Sequence, residues 1–218
     1  MAHRFELLVF DWDGTLMDSA AAIVASIQAS CRDLGLPVPD DRTASHVIGL
    51  GLKDALTYAA PDLAHEDYGR MVERYRHHFL ARDAQLASFA GAESMLRELA
   101  DAGHLLAIAT GKSRAGLDRA FAATGLGNLF HASRCADECF SKPHPAMLLE
   151  LMDELGSAPA NTLMIGDTTH DLQMALNAGV GGLGVSYGAH PKSQLTELAP
   201  LACVDSIEEL SAWLRANA

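Results

Sequence analysis

The sequence predicts an α/β fold: a parallel sheet covered by helices on both faces, with an all-helical block inserted after the first strand. Three observations carry this. An apolar run, Leu7-Leu8-Val9-Phe10, changes abruptly to Asp11-Trp12-Asp13-Gly14-Thr15. Acidic residues are poor strand formers and Gly14 permits a turn, so a buried strand ends at Asp11. From about residue 17 to 88 no strand pattern occurs. From residue 89 onward strand and helix patterns alternate with short loops, which specifies parallel strands joined by right-handed crossovers. Ligands of such sheets gather at the carboxyl ends of the strands.

Each element follows from spacing and punctuation. After the first strand, Asp18 or Ser19 caps a helix with Ile23, Ile27, Cys31 and Leu34 at helical spacing, ended by Gly35 and Pro37. A short helix starts near Asp41, a glycine-punctuated turn occupies 47–52, and a helix over 53–60 stops at Pro61. A helix over 66–81 aligns Tyr68, Met71, Val72, Tyr75 and Phe79 on one face. Then come helix 92–102, strand 105–109, helix 114–124, a weak strand 129–132, helix 145–155, strand 163–165, helix 172–177 and strand 183–185. A helix near Gln194, a strand at 201–204 and a helix at 206–215 close the chain. The expected division is a core of residues 1–16 and 89–218 with a helical lid of residues 17–88.

Composition narrows the function. The 218 residues are 49% hydrophobic and 20% charged, as expected of a globular protein with a sizeable core. A formal net charge of −12 argues against a general nucleic-acid binder. No apolar run approaches the ~20 residues of a membrane span, and the start is too short and charged for a secretory signal. Cys31, Cys135, Cys139 and Cys203 form no disulfide framework, so reduced thiols and a cytoplasmic location are expected. Oligomeric state has no signal.

The residues that carry chemistry fall at the predicted strand ends. Asp11 and Asp13, two apart in an extended segment, share a face. Carboxylates held that close stay ionised together only with a cation between them, and hard oxygen ligands suit Mg²⁺. A carboxylate there is also a competent nucleophile toward phosphorus. Strand 105–109 ends in Thr110-Gly111-Lys112, which reads as an anion site or as a plain helix cap. Ser141-Lys142-Pro143-His144-Pro145 presents Lys142 from a stiff loop, where its ammonium offsets phosphate and carboxylate charge. Strand 163–165 ends in Gly166-Asp167-Thr168-Thr169-His170-Asp171. Asp167 and Asp171 serve either the helix dipole or, with Asp11 and Asp13, an oxygen-rich metal environment. By alternation Trp12 points away from its acidic neighbours into packing, and His170 reads as a surface residue. His131, Cys135, Cys139 and His144 match no common zinc spacing. Lys112 either reaches substrate or is solvated. The turn 49–53, with Gly51 and Lys53, is either a loop that touches substrate or a plain connection.

Taken in order, these four motifs resemble those of the haloacid dehalogenase (HAD) superfamily, most of whose members are Mg²⁺-dependent phosphatases. The resemblance covers essentially the whole chain. The helical insertion, the Gly91-x-x-x-x-Leu96 helix entry and the stretch Gly184-Val185-Ser186-Tyr187-Gly188 are similar to the phosphoglycolate phosphatase-like branch, although Ala90-Gly91 stands where that branch often has Pro-Gly. The resemblance implies a three-layer Rossmann-like core with a small helical cap. It implies Asp11 as nucleophile, Asp13 as general acid/base, and Thr110 and Lys142 around the phosphoryl group; Gly111 beside Thr110 and Gly51 in the turn are candidate substrate contacts by position. Mg²⁺ would be held by Asp11, Asp13, Asp167 and Asp171, the last through water or by orienting its neighbours. The implied reaction is hydrolysis of a small phosphorylated metabolite, 2-phosphoglycolate favoured, through an aspartyl-phosphate. Alternatives within the superfamily are sugar-phosphate or nucleotide phosphatases, pyrophosphatases, phosphomutases, and a phosphonoacetaldehyde hydrolase using Lys53. A non-catalytic phosphate sensor is the alternative of another class; it has no use for Asp13. Dehalogenases of this fold lack an acid/base at that position, so Asp13 disfavours dehalogenation.

Overall fold

Strand β1 (Leu7–Phe10) is buried along its whole length. In the computed structural model, which describes residues 4–83 and 86–218, Leu8 and Phe10 enter one apolar cluster and Leu7 and Val9 another. That is the two-residue period of a strand sandwiched between two helical layers. Residues 1–3, and 84 and 85 inside the span expected as a lid, lie outside the described residues.

Four helices follow β1: α1 (Ala20–Asp33), α2 (Asp41–His46), α3 (Leu52–Ala59) and α4 (Tyr68–Asp83). They bury a third cluster of their own, which includes Ile23, Ile27, Cys31, Leu56, Met71 and Phe79. The stripe expected on α4 is the face turned into it, with Tyr68, Val72 and Tyr75 partly buried beside Met71 and Phe79. The two ends of this insertion run side by side. Asp18 N–H donates to Ala87 O at 3.0 Å and Phe89 N–H to Leu16 O at 3.0 Å, around a bridge between Met17 and Ser88.

The remainder alternates: α5 (Ala92–Asp101), β2 (Leu105–Thr110), α6 (Arg114–Thr124), β3 (Ala132–Cys135), α7 (Ala146–Leu155), β4 (Thr162–Gly166), α8 (Thr169–Ala178), β5 (Gly181–Val185), α9 (Lys192–Glu197), β6 (Ala202–Val204) and α10 (Ile207–Asn217). All six strands are parallel, in the order β3-β2-β1-β4-β5-β6. The first strand of the chain is therefore interior. Leu7 pairs with Leu105 on one side and with Thr162 on the other. The expected α/β parallel sheet is what forms.

One element differs. The strand expected at 129–132 lies at Ala132–Cys135, and Leu129 belongs instead to a short 3₁₀ turn, Gly127–Leu129. β3 is an edge strand that carries Arg134, which pairs with Glu150 and Glu154 at 2.7 Å each. A half-exposed edge needs no continuous apolar run, so the apolar Leu129 and Phe130 pulled the expectation upstream; they pack against the core cluster from the turn.

Candidate active site

Three neighbouring strands deliver the site. Asp11 leaves β1 with its N–H donating to Ile165 O of β4 at 2.9 Å. Its carboxylate is buried. Oδ1 accepts from the Trp12 N–H at 2.7 Å and lies 2.9 Å from Lys142 Nζ. Oδ2 is buried with no hydrogen-bond partner. Burial pushes the Asp11 carboxyl well above the usual carboxylate range, Lys142 opposes this, and the charges of Asp171 and Asp167 add to it. Trp12 turns away as expected, edge-on to Phe121 with ring centroids 5.3 Å apart.

Lys142 is the cation of this cluster. It reaches from the loop between β3 and α7 to lie 2.7 Å from Asp171 and 2.9 Å from Asp11, with no side-chain exposure. Burial works against its charge, but the two carboxylates outweigh that and hold its pKa above the usual lysine value. Asp171 sits in the first turn of α8. Its Oδ2 accepts from Thr168 N–H at 3.1 Å and Thr168 Oγ1 at 2.7 Å, which completes a capping box. The two readings of this carboxylate, helix partner and site residue, are thus realised together.

Asp167 follows β4. Its Oδ1 accepts from Thr15 Oγ1 at 2.8 Å and its Oδ2 from Ala189 N–H at 2.7 Å. The fit is close: a Cβ built on Gly14 or on Gly188 would lie 2.2 Å from Asp167 Oδ2. Burial raises the Asp167 carboxyl to about 7; Asp171 adds to the rise, while the bonds from Ala189 and Thr15 oppose it.

Asp13 stands apart from this group. Its Oδ1 accepts from Ser19 Oγ at 2.7 Å and lies 2.9 Å from Lys112 Nζ. Ser19, which looked like a helix cap, is at the N-cap of α1 without a capping bond, because its hydroxyl is spent on Asp13. Lys112 is not solvated; its ammonium also sits 4.8 Å from the centroid of the Phe79 ring. Thr110 is buried at the end of β2, where its Oγ1 accepts from Lys112 N–H at 3.2 Å.

The loop between α2 and α3 lies over these groups. A Cβ on Gly111 would fall 2.5 Å from Leu50 O and 2.6 Å from Gly49 O, so only glycine lets this loop approach so closely. Gly51 N–H donates to Ser141 Oγ at 2.8 Å and so serves the loop's attachment. Next to it, His46 O accepts from His170 Nε2 at 2.7 Å and from His190 Nε2 at 3.2 Å. His170, expected on the surface, is half-buried in this contact. Thr15, Ser19, Gly188, Ala189, His46 and His190 were not singled out as site residues from the sequence. Thr15 and Gly188 lay in quoted motifs, and Ser19 read as a helix cap although its partner Asp13 is six residues away; Ala189, His46 and His190 gave no local signal, since their partners are remote in sequence.

Asp11, Asp167 and Asp171 offer ligand atoms within 4.8 Å of one another, and Asp13 is not among them. Three buried carboxylates face one buried ammonium, and one carboxylate oxygen lacks any partner. That donor set fits a hard divalent cation. The protein is expected to reveal this in its stability. Asp167 keeps its proton up to about pH 7 when folded and loses it near pH ~4 when unfolded. Its contribution is therefore full below pH ~4 and lost as pH rises through about 7. Calorimetry in chelator should show Tm declining from pH 5 to 8, and a divalent cation should raise Tm most at pH 8. A chelated protein whose Tm climbs over that range, with no response to cation, would contradict the repulsion described.

Known proteins resemble this chain along its length. The sequence model of a family described as haloacid dehalogenase-like hydrolase matches residues 8–185. A protein of Dickeya dadantii named "Probable phosphatase IndB" is 37% identical over 209 residues, covering 94% of this chain and 91% of its own. A phosphoglycolate phosphatase of Agrobacterium fabrum is 31% identical, with 95% and 91% covered. The crystal structure of a predicted phosphatase from Clostridium acetobutylicum superposes with a TM-score of 0.85 at 26% identity, over 97% of this chain and 99% of that one.

Proposed function

Because the chain belongs to the haloacid dehalogenase-like hydrolase family, we propose that it hydrolyses a small organic phosphate monoester on Asp11, through an aspartyl-phosphate. The protein is a phosphatase of this family, as its relatives in Dickeya and Agrobacterium are named. The observation that carries the mechanism is the state of Asp11: one oxygen is fixed by Trp12 and Lys142, and the other is buried without a partner. A carboxylate oxygen held in place by its fixed partner oxygen and without a hydrogen bond of its own is placed for in-line attack on phosphorus.

The other residues take the roles their positions favour. Lys142 and Thr110 hold phosphoryl oxygens as charge moves onto them. Asp13 carries the proton. Its Oδ1 lies 2.9 Å from Lys112 Nζ, and its carboxylate takes a proton from water in the second step. The proton gained there is the one Asp13 gives to the leaving oxygen in the first step of the next turnover. Such acid/base assistance contributes ~10²–10⁴-fold. Asp11, Asp167 and Asp171 would hold Mg²⁺. When bound, the ion supplies charge neutralisation for the phosphoryl group and its nucleophile. The helices of residues 17–88 act as a lid, with the 49–51 loop over the phosphate and Gly51 fixing that loop to Ser141.

Relatives in Agrobacterium, Colwellia, Haemophilus and Psychrobacter are named phosphoglycolate phosphatases, which makes 2-phosphoglycolate the named substrate to test first. A cytoplasmic location agrees with four free cysteines and with the lack, among the described residues, of a helix long and apolar enough to cross a membrane. The test is phosphate release from 2-phosphoglycolate, sugar phosphates, nucleotides and pyrophosphate, with Mg²⁺ and with chelator. Release that stops in chelator is the expected result. Folded protein that releases nothing from any compound in Mg²⁺ would overturn the hydrolase reading and favour phosphoryl transfer, phosphonate cleavage or sensing.

A further inference from the structure

Asp11 and Asp13 lie at the floor of a cavity of about 620 Å³ that runs up between the strand ends and helices α1, α3 and α4. This is the size of pocket that encloses a drug-like ligand, roughly 300–1,000 Å³, and far more than a phosphate with a two-carbon acid fills. Its upper walls are Ile23, Ile27, Ile48, Val72, Tyr75 and Phe79. Four cations line it. Lys112 is engaged by Asp13, and Lys53, Arg76 and Arg119 are exposed.

We propose that the leaving group of the substrate carries an apolar body, the size of a six-carbon chain or a ring, seated against these six side chains while the phosphate lies at Asp11. The assignment rests on the phosphatase reading and selects among its esters, against 2-phosphoglycolate. Phosphate and metal chemistry at the floor are indifferent to what the oxygen is attached to. Discrimination therefore falls to the walls, and apolar walls reward apolar area removed from water. Each buried methylene is worth roughly a fourfold gain in affinity. Tyr75 and Phe79, stacked with centroids 5.9 Å apart, add aromatic area to this wall.

The test compares hexyl phosphate, benzyl phosphate, ethyl phosphate and 2-phosphoglycolate as substrates in Mg²⁺. In parallel, hexylphosphonate, ethylphosphonate and 3-phosphonopropionate are titrated calorimetrically as inert ligands. The expected result is kcat/KM at least tenfold higher for the hexyl and benzyl esters than for the other two, with hexylphosphonate binding at least tenfold tighter than either short phosphonate. Val72→Gln should shrink the hexyl-to-ethyl ratio severalfold. Turnover with 2-phosphoglycolate equal or better, or 3-phosphonopropionate binding as tightly as hexylphosphonate, would overturn the proposal and leave the hydrolase reading intact. Preferential binding of hexylphosphonate without turnover of any ester would support the apolar chamber and remove the hydrolase reading.

Discussion

Asp11→Asn is expected to lower phosphate release by ~10⁴-fold or more while the protein stays folded. The amide has nearly the shape of the carboxylate, and its oxygen can still accept from the Trp12 N–H that now binds Oδ1 at 2.7 Å. It cannot form an acyl phosphate, because the amide is a poor nucleophile. Stability should change little, since two effects oppose. Lys142 loses one of its two carboxylate partners, but Asp171 remains at 2.7 Å. The repulsion that Asp171 and Asp167 impose on the Asp11 charge disappears as well. Initial rates, circular dichroism and a thermal melt check the three parts. A correctly folded variant that keeps more than a few per cent of the rate would falsify the nucleophile assignment.

Lys142→Met is expected to cost both stability and rate. Methionine fills much of the lysine volume, so no large cavity opens, yet Asp11 and Asp171 are left as buried charges without their ammonium. Breaking a buried ion pair from one side typically costs ~3–5 kcal/mol. The rate should fall by ~10²–10³-fold with the loss of a positive group beside the transferred phosphoryl. Urea unfolding and kinetics measure the two effects. The double variant Asp11→Asn with Lys142→Met discriminates the cause. It should be more stable than Lys142→Met alone, because one uncompensated carboxylate has been removed. Equal destabilisation in single and double variants would show that lost packing, not stranded charge, sets the cost.

What could be seen in the sequence was whatever a short window can encode. β1, β2 and β4 announce themselves as apolar runs because both faces are covered, and the acids that follow β1 and β4 mark where the sheet stops and a polar cleft begins. β3 was displaced because an edge strand with Arg134 on it lacks that pattern. Partner choice was not legible at all. Nothing near Asp13 says that it is held by Lys112, 99 positions away, nor does the spacing of His46, His170 and His190 say that one carbonyl will collect two imidazoles. Asp171 was ambiguous for a physical reason: its carboxylate caps α8 and meets Lys142 at once, so either local reading was incomplete.

The interior position of β1 also bears on how the chain is made. Leu7 leaves the ribosome early, but its second neighbour, Thr162, is synthesised 155 residues later. At ~5–20 residues per second this leaves the all-apolar strand without one of its partners for about 8–30 s. Until Leu105 is made, Leu7-Leu8-Val9-Phe10 has neither sheet neighbour, and the helices encoded just after it are the first structure able to shield it. The strand that leads into Asp11 is thus the segment of the sheet that waits longest for its full set of neighbours.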